Sequence, residues 1–257
     1  MHIKNLFHFA LLTAALCVLA SCSHSTVKVI DSKGQLIRVD STWDISNDSP
    51  VSVAIQAYKA KFNDKMSEII GKAQTTLRGY RPESPLSNLV ADIIKKKVSD
   101  VLGKSVDFAV MNDGGLRSTL YKGNITVGHI YEIFPFENHV VAVILKGEDV
   151  LHLFEEIAKR GGEGISGAQL QITSKGELVN CNIGGKPINP NALYTIGTID
   201  YVAEGNDGMP SFKKSVKRQD YPDALMRDVF FDFVKSQTAQ GKVINSQCEN
   251  RIKVVEP

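Results

Sequence analysis

The chain has 257 residues, 43% of them hydrophobic, and sets 30 Lys and Arg against 28 Asp and Glu for a formal charge of +2. That length and apolar content support one sizeable domain with its own core, alone or with a small N-terminal attachment, so no disulfide scaffold is required. A charge this close to zero gives no electrostatic case for nucleic-acid binding. The basic runs are local: Lys95-Lys96-Lys97 falls on a predicted helix and Lys213-Lys214 with Lys217-Arg218 in a predicted loop, and both are expected to be solvated faces.

Residues 1–21 carry one Lys near the start, an apolar run from Leu6 to Ala20 and small residues at the end, the pattern of a secretory signal. The run is too short for a stable transmembrane helix, and it closes on Leu19-Ala20-Ser21-Cys22, which resembles the bacterial lipoprotein processing box. Cys22 is then expected to become the lipidated first residue of an exported, membrane-anchored chain. Ser23 follows it with no acidic run, which in a Gram-negative cell points to the outer membrane, facing the periplasm. Cys17 leaves with the leader, so Cys181 and Cys248 remain in the folded part. Pairing and two separate buried thiols are both open, with the second preferred.

Residues 22–48 are expected to form a polar tether and a small hairpin, since Val27 to Val39 alternates around Ser32-Lys33-Gly34. The main domain is expected over 49–257. Ser49-Pro50 opens a predicted helix whose Val51, Ile55, Tyr58, Phe62, Met66 and Ile69 recur at three- and four-residue steps as far as Gly71, an expected core stripe. Ser84-Pro85 opens a second, with Leu86, Leu89, Val90, Ile93, Ile94, Val98 and Val101 inward and Gly103 as its stop. Then come a buried strand over Val106–Met111, a short helix over Thr126–Ile133, a strand over His139–Leu145 and a helix over Glu148–Arg160 that ends at Gly161-Gly162. Strands are predicted at Gln169–Thr173, Glu177–Ile183 and Leu193–Asp200, a last helix over Pro222–Thr238 capped by Asp220, and a closing strand at Arg251–Val255. Helices interspersed with hairpin-like pairs predict an α+β fold, a mixed β-sheet with packed helices, and not a doubly wound parallel sheet.

Three segments carry the chemistry. In Ala109-Val110-Met111-Asn112-Asp113-Gly114-Gly115-Leu116-Arg117-Ser118 a buried strand runs into an Asn, two glycines and an Arg, so Gly114 and Gly115 permit a tight turn and close approach while Asn112 and Arg117 supply directional polar groups. The others are Phe134-Pro135-Phe136-Glu137-Asn138 and Asp200-Tyr201-Val202-Ala203-Glu204-Gly205-Asn206-Asp207-Gly208. With Glu83-Ser84-Pro85-Leu86-Ser87-Asn88-Leu89 ahead of them, in this order, they resemble the substrate-binding C-terminal domain of the 5'-nucleotidase/UDP-sugar hydrolase family, over roughly Gly79 to Pro257.

The resemblance implies that Phe136 and Tyr201 clamp a nucleobase between aromatic faces, where each stacking partner contributes about 1 to 3 kcal/mol and tolerates several bases. The competing reading is two core aromatics; Pro135 and the polar loops that follow both rings argue for exposed ones. It also implies that Asp207 accepts hydrogen bonds from ribose hydroxyls, against a turn aspartate bonded to its own backbone, and that Asn112 and Arg117 contact base, ribose or phosphate, a guanidinium fork being suited to phosphate oxygens. Arg81 matches another family arginine at an offset the sequence leaves open, with a surface Arg as the alternative. Two departures bear on ligand preference: Glu137-Asn138 follows Phe136 in place of Gly-Gly or Gly-Asn, and Asn206 stands for a glycine, as the residue best able to replace it in a left-handed backbone.

Hydrolysis in the family belongs to a separate N-terminal metallophosphatase domain with two metal ions. Past the leader the histidines are His24, His129, His139 and His152, and none forms an Asp-x-His, His-x-His or Gly-Asn-His-Glu pattern. No catalytic residue, metal ligand or cofactor is therefore expected in this chain, with divalent metals expected in a partner phosphatase. The leading expectation is the nucleotide- or nucleoside-recognition subunit of a split 5'-nucleotidase; the alternatives are an autonomous nucleoside- or nucleotide-binding lipoprotein and a degenerate domain turned interaction surface.

Overall fold

The structure, a computed structural model, describes residues 28–38 and 49–256, with the backbone alone for 49–54 and 57. The expected leader and Cys22 lie outside the described residues. The chain divides into two compact units, residues 1–52 and 53–257. In the first, residues 28–38 take no regular secondary structure and all are exposed. The expected hairpin is absent across them: Val29, Ile30, Leu36 and Ile37 are uncovered, and a two-stranded ribbon without a covered face is marginal in water.

Helix α1 (Ser49–Met66) forms where its periodicity places it but stops before Ile69. Its expected core stripe is corrected, because Ile55, Tyr58 and Phe62 are exposed and, among the described side chains of the helix, Met66 alone packs partly against the core. An apolar period sets a helix; it does not supply a surface to bury against. Ile69–Ala73 instead forms strand β1, where Gly71 lies so close to a later helix that a Cβ would sit 2.6 Å from Val234 Cγ1.

Helix α2 (Pro85–Leu102) matches its reading closely. Ser84 and Ser87 form a reciprocal capping box, Pro85 occupies the first turn and Gly103 closes the helix at φ 63°. Leu86, Leu89, Val90, Ile93, Ile94 and Val98 are buried, while Val101 is exposed at the last turn. Strand β2 (Phe108–Met111) follows, then β3 (Gly123–Thr126), which pairs with β1, and α3 (Val127–Ile133), capped by Thr126. The chain continues through β4 (His139–Lys146), α4 (Gly147–Lys159), β5 (Gly164–Ser166), β6 (Ala168–Ile172), β7 (Leu178–Ile183), β8 (Leu193–Ile199) and the single turn α5 (Asp200–Ala203). It ends with β9 (Lys217–Leu225), α6 (Met226–Ala239) and β10 (Ile252–Val254).

The central sheet has the order β5-β2-β8-β4-β9 and a smaller one the order β10-β6-β7. In the central sheet β2 and β8 run parallel, and β5, β4 and β9 are antiparallel to their neighbours, so the α+β expectation holds. α2 crosses the middle of this sheet, where a Cβ on Gly197 would lie 3.1 Å from both Ile94 and Val98. On the opposite face, fully buried Phe108, Val110, Val143 and Ile196 form a core with Phe154 of α4, each such side chain contributing roughly 1.5 to 3 kcal/mol by leaving water.

The predicted final helix starts late. Lys217 to Asp220 pairs with Ile144 to Val141 as an edge strand, so Arg218 bonds Asp220 at 2.7 Å and Asp220 caps nothing. An edge strand accommodates Pro222, which has no N–H for a ladder. Cys181 and Cys248 are separate free thiols, Cys181 partly buried and Cys248 exposed, so the expectation that both are buried is corrected. Among the described residues no helix is long and apolar enough to cross a membrane.

Candidate functional site

Strand direction gathers the three motif segments at one edge of the central sheet. β2 and β8 are parallel neighbours, so Asn112 after the one and Asp200–Gly208 after the other leave from the same side. β4 is antiparallel to β8 with Val140 opposite Ile199, which places Phe136 at the entry to β4 on that same edge. β5 is antiparallel to β2 with Gly164 opposite Met111, so the residues before it arrive there too. Arg117 N–H donates to Ile133 O at 3.0 Å, tying the Asn112 loop to the end of α3 that leads into Phe136.

Asp207 is the centre of the arrangement. Its Oδ2 accepts from Asn112 Nδ2 at 2.8 Å, and its Oδ1 accepts from the Tyr201 hydroxyl at 3.1 Å. Its backbone is left-handed at φ 52°, flanked by Gly205 at 76° and Gly208 at 67°. The left-handed residue is thus Asp207 and not Asn206, whose side chain instead donates to Tyr201 O at 2.9 Å and closes the loop. A non-glycine residue held there is strained, and surrounding contacts must over-determine it. The hydrogen bond to Asp207, then that carboxylate's charge, pushes the Tyr201 phenol above its ordinary value.

Gly114 and Gly115 act by closeness more than by unusual φ. A Cβ on Gly114 would lie 3.3 Å from Asp207 Oδ2, and one on Gly115 2.6 Å from Met111 Cε and 2.9 Å from Asn112 Oδ1. Asn112 is 3% exposed and spends its amide N–H on Asp207. Phe136 and Tyr201 are 49% and 41% exposed, which removes the core-aromatic reading of both. Arg117 is exposed, its guanidinium 6.0 Å from the Phe136 ring centre and 3.4 Å from Gly114 O. Glu137, the departure next to Phe136, is exposed.

Arg81 belongs to the same edge and is not a free surface arginine. It donates from Nε to Gly162 O at 2.9 Å and from Nη2 to Glu163 Oε1 at 2.7 Å, and its Nη1 lies 3.9 Å from Asp113 Oδ2. Burial works against its charge, but the hydrogen bond and charge of Glu163 outweigh it and hold the guanidinium above its ordinary value. Burial pushes the Asp113 carboxyl up, with Arg81 opposing.

Two residues at this edge escape the sequence reading. Arg160 reaches Glu163 with Nε and lies 3.5 Å from Asp207 Oδ2 with Nη2. Glu163 also accepts from the backbone N–H of Asp113. Arg160 looks like the end of α4 and Glu163 like a loop residue; what signals them is a glutamate only 2% exposed that opens a buried strand. A groove of about 490 Å³ between α2 and α6, with Leu89, Ile93, Val229 and Phe233 in its wall, shares no residue with this edge.

A fold with these loops on one edge of a mixed sheet is that of the 5'-nucleotidase C-terminal domain, and residues 63–214 match that family's model. The chain belongs to this family. It is 28% identical to a 5'-nucleotidase of Vibrio cholerae over 194 residues, 71% of this chain and 34% of that protein. It is 27% identical to the protein UshA of Escherichia coli over 190 residues, 71% of this chain and 34% of that protein. An endonuclease of Bacillus subtilis, YhcR, is 28% identical over 70% of this chain and 15% of its own length. The chain thus spans about a third of the length of the two former relatives. Among solved structures, a 5'-nucleotidase precursor of Thermus thermophilus superimposes with a TM-score of 0.70 at 28% identity, covering 82% of this chain and 44% of that one. The NAD nucleotidase of Haemophilus influenzae shares the fold, with a TM-score of 0.61 at 20% identity, over 82% of this chain and 42% of that one.

Among the described residues no group of three or more His, Cys, Asp or Glu side chains is placed to hold a metal ion. The donor set here, carboxylates already bonded to arginines, does not fit a dimetal centre.

Proposed function

We propose that this chain is the nucleotide- or nucleoside-recognition subunit of a split 5'-nucleotidase, in which a separately encoded metallophosphatase hydrolyses the phosphate ester. The observation that carries the reading is Asp207, fixed by Asn112 and Tyr201 beside two exposed rings and an exposed arginine. In this reading Phe136 and Tyr201 stack on the base, Asp207 accepts the ribose hydroxyls, and Arg117 offers its fork to a phosphate. A ribose hydroxyl at Asp207 Oδ1 takes the place of the Tyr201 hydroxyl and frees that ring to turn onto the base.

The chain is exported and anchored through a lipidated Cys22, which places recognition at the membrane surface on the periplasmic side of a Gram-negative cell. Several acyl chains hold far more firmly than one. Mass spectrometry of the mature N-terminus tests this: acylated Cys22 is expected, and an unmodified or different start contradicts it.

The split arrangement is tested by phosphate release from AMP. The purified chain alone, with or without divalent metal, is expected to release none, and its partner phosphatase to gain a lower KM when it is added. AMP hydrolysis by the purified chain that is lost in Asp207→Ala contradicts the split; nucleoside binding with no effect on any phosphatase makes the chain an autonomous binder.

A further inference from the structure

Glu163 is a buried carboxylate with three bonds to protein, which the reading above leaves without a role. Its Oε1 takes Arg81 Nη2 at 2.7 Å and Arg160 Nε, and its Oε2 takes the backbone N–H of Asp113. Those donors come from three separate segments: the chain before α2, the end of α4 and the turn after β2. A buried charge with so full a set of partners fixes geometry, since removing any partner leaves the rest uncompensated.

The backbone around it is built for this. Gly161 and Gly162, at φ 79° and 110°, reverse the chain so that Glu163 returns beneath Arg160. A Cβ at Gly162 would strike Pro82 O at 2.2 Å, so the reversal is pressed against the segment carrying Arg81. Gly208 lies across from it: a Cβ there would sit 3.5 Å from Arg160 Nη1, an ordinary van der Waals contact. Arg160 then reaches Asp207 Oδ2 at 3.5 Å, on the oxygen that also accepts from Asn112. Both fixed contacts fall on Oδ2, and Oδ1 carries the Tyr201 hydroxyl.

We propose that Arg160, anchored by Glu163, is the positioning residue that sets ribose specificity: with Asn112 it clamps Asp207 from the Oδ2 side, so that Oδ1 is presented to the sugar hydroxyls in one orientation. The inference rests on the reading of Asp207 as the ribose acceptor. A carboxylate held on one side discriminates a diol from a single hydroxyl; one free to rotate accepts either.

The experiment titrates adenosine and 2'-deoxyadenosine into the mature protein and its variants by calorimetry, with a thermal melt of each. Arg160→Gln is expected to lower the ratio of the two dissociation constants at least fivefold, with most of the loss on adenosine, and Glu163→Gln to do the same through Arg160. Arg160→Lys, which keeps the charge, is expected to restore part of the ratio. Arg160 is a quarter exposed, so its variant carries the test whether or not Glu163→Gln folds. An unchanged ratio in a folded Arg160→Gln, with the ratio lost in Asp207→Ala, overturns the inference and keeps the site. A ratio unchanged in Asp207→Ala overturns both.

Discussion

Two pairs of exposed aromatic rings, Phe136 and Tyr201 at the sheet edge and Tyr58 and Phe62 on α1, differ in what surrounds them. At the edge the Tyr201 hydroxyl reaches Asp207, and the Arg117 guanidinium lies over the Phe136 ring. On α1 the rings share a shallow, almost wholly apolar groove with Ile55 and Lys59. Exposure marks both; only the edge adds directional donors and acceptors, which a ligand needs to be oriented as well as covered. A flat ring in water is a surface, and a flat ring bonded to a fixed carboxylate is half of a site.

The comparison breaks most sharply on Asp207. Two hydrogen bonds from ribose to a carboxylate, at about 1.5 to 3 kcal/mol each, make Asp207→Ala weaken nucleoside binding by roughly a hundredfold or more. Phe62→Ala is expected to leave the affinity within about twofold, and equal losses in the two variants would erase the distinction. Next in size, Tyr201→Ala removes one stacking face and is expected to cost about 1 to 3 kcal/mol of binding, similarly for several bases. Its counterpart Tyr58→Ala should change neither binding nor, beyond about 0.5 kcal/mol, stability. Calorimetry and thermal melts on the four proteins check both pairs.

The smallest effect expected is on stability. Asp113 has its folded pKa raised by burial, so the stabilisation from its protonated form is present below the ordinary carboxylate value and is lost as pH rises through the folded one. Asp113→Asn should therefore raise Tm at pH 7, net of the 3.9 Å contact with Arg81, and the gain should shrink as pH falls toward about 4. A gain constant over that range would remove the buried carboxyl as its cause.

Much of the fold was legible where local chemistry decides it. Ser84, Pro85 and Gly103 bracket α2 as a cap, a first turn and a stop, and the apolar run of β2 ends where Asn112 and two glycines begin. What escaped depends on contacts distant in sequence. The stripe of α1 has the right period and no surface to cover it; β9 holds Pro222 because it is an edge strand. Asn206 has the better left-handed propensity, yet its side chain is tied to Tyr201 O and the strained backbone passes to Asp207. Arg160 and Glu163 were invisible for a similar reason, since only the reversal at Gly161-Gly162 against Pro82 brings them under Asp207.

The most direct test of the account is a calorimetric titration of adenosine into the mature wild-type protein, Asp207→Ala and Tyr201→Ala, each shown by thermal melt to be folded. The account predicts saturable binding to the wild type, roughly a hundredfold or more weaker in Asp207→Ala, and weakened by about 1 to 3 kcal/mol in Tyr201→Ala. Wild-type binding that survives both substitutions unchanged, or no binding to the wild type, would contradict recognition of a nucleoside at this edge.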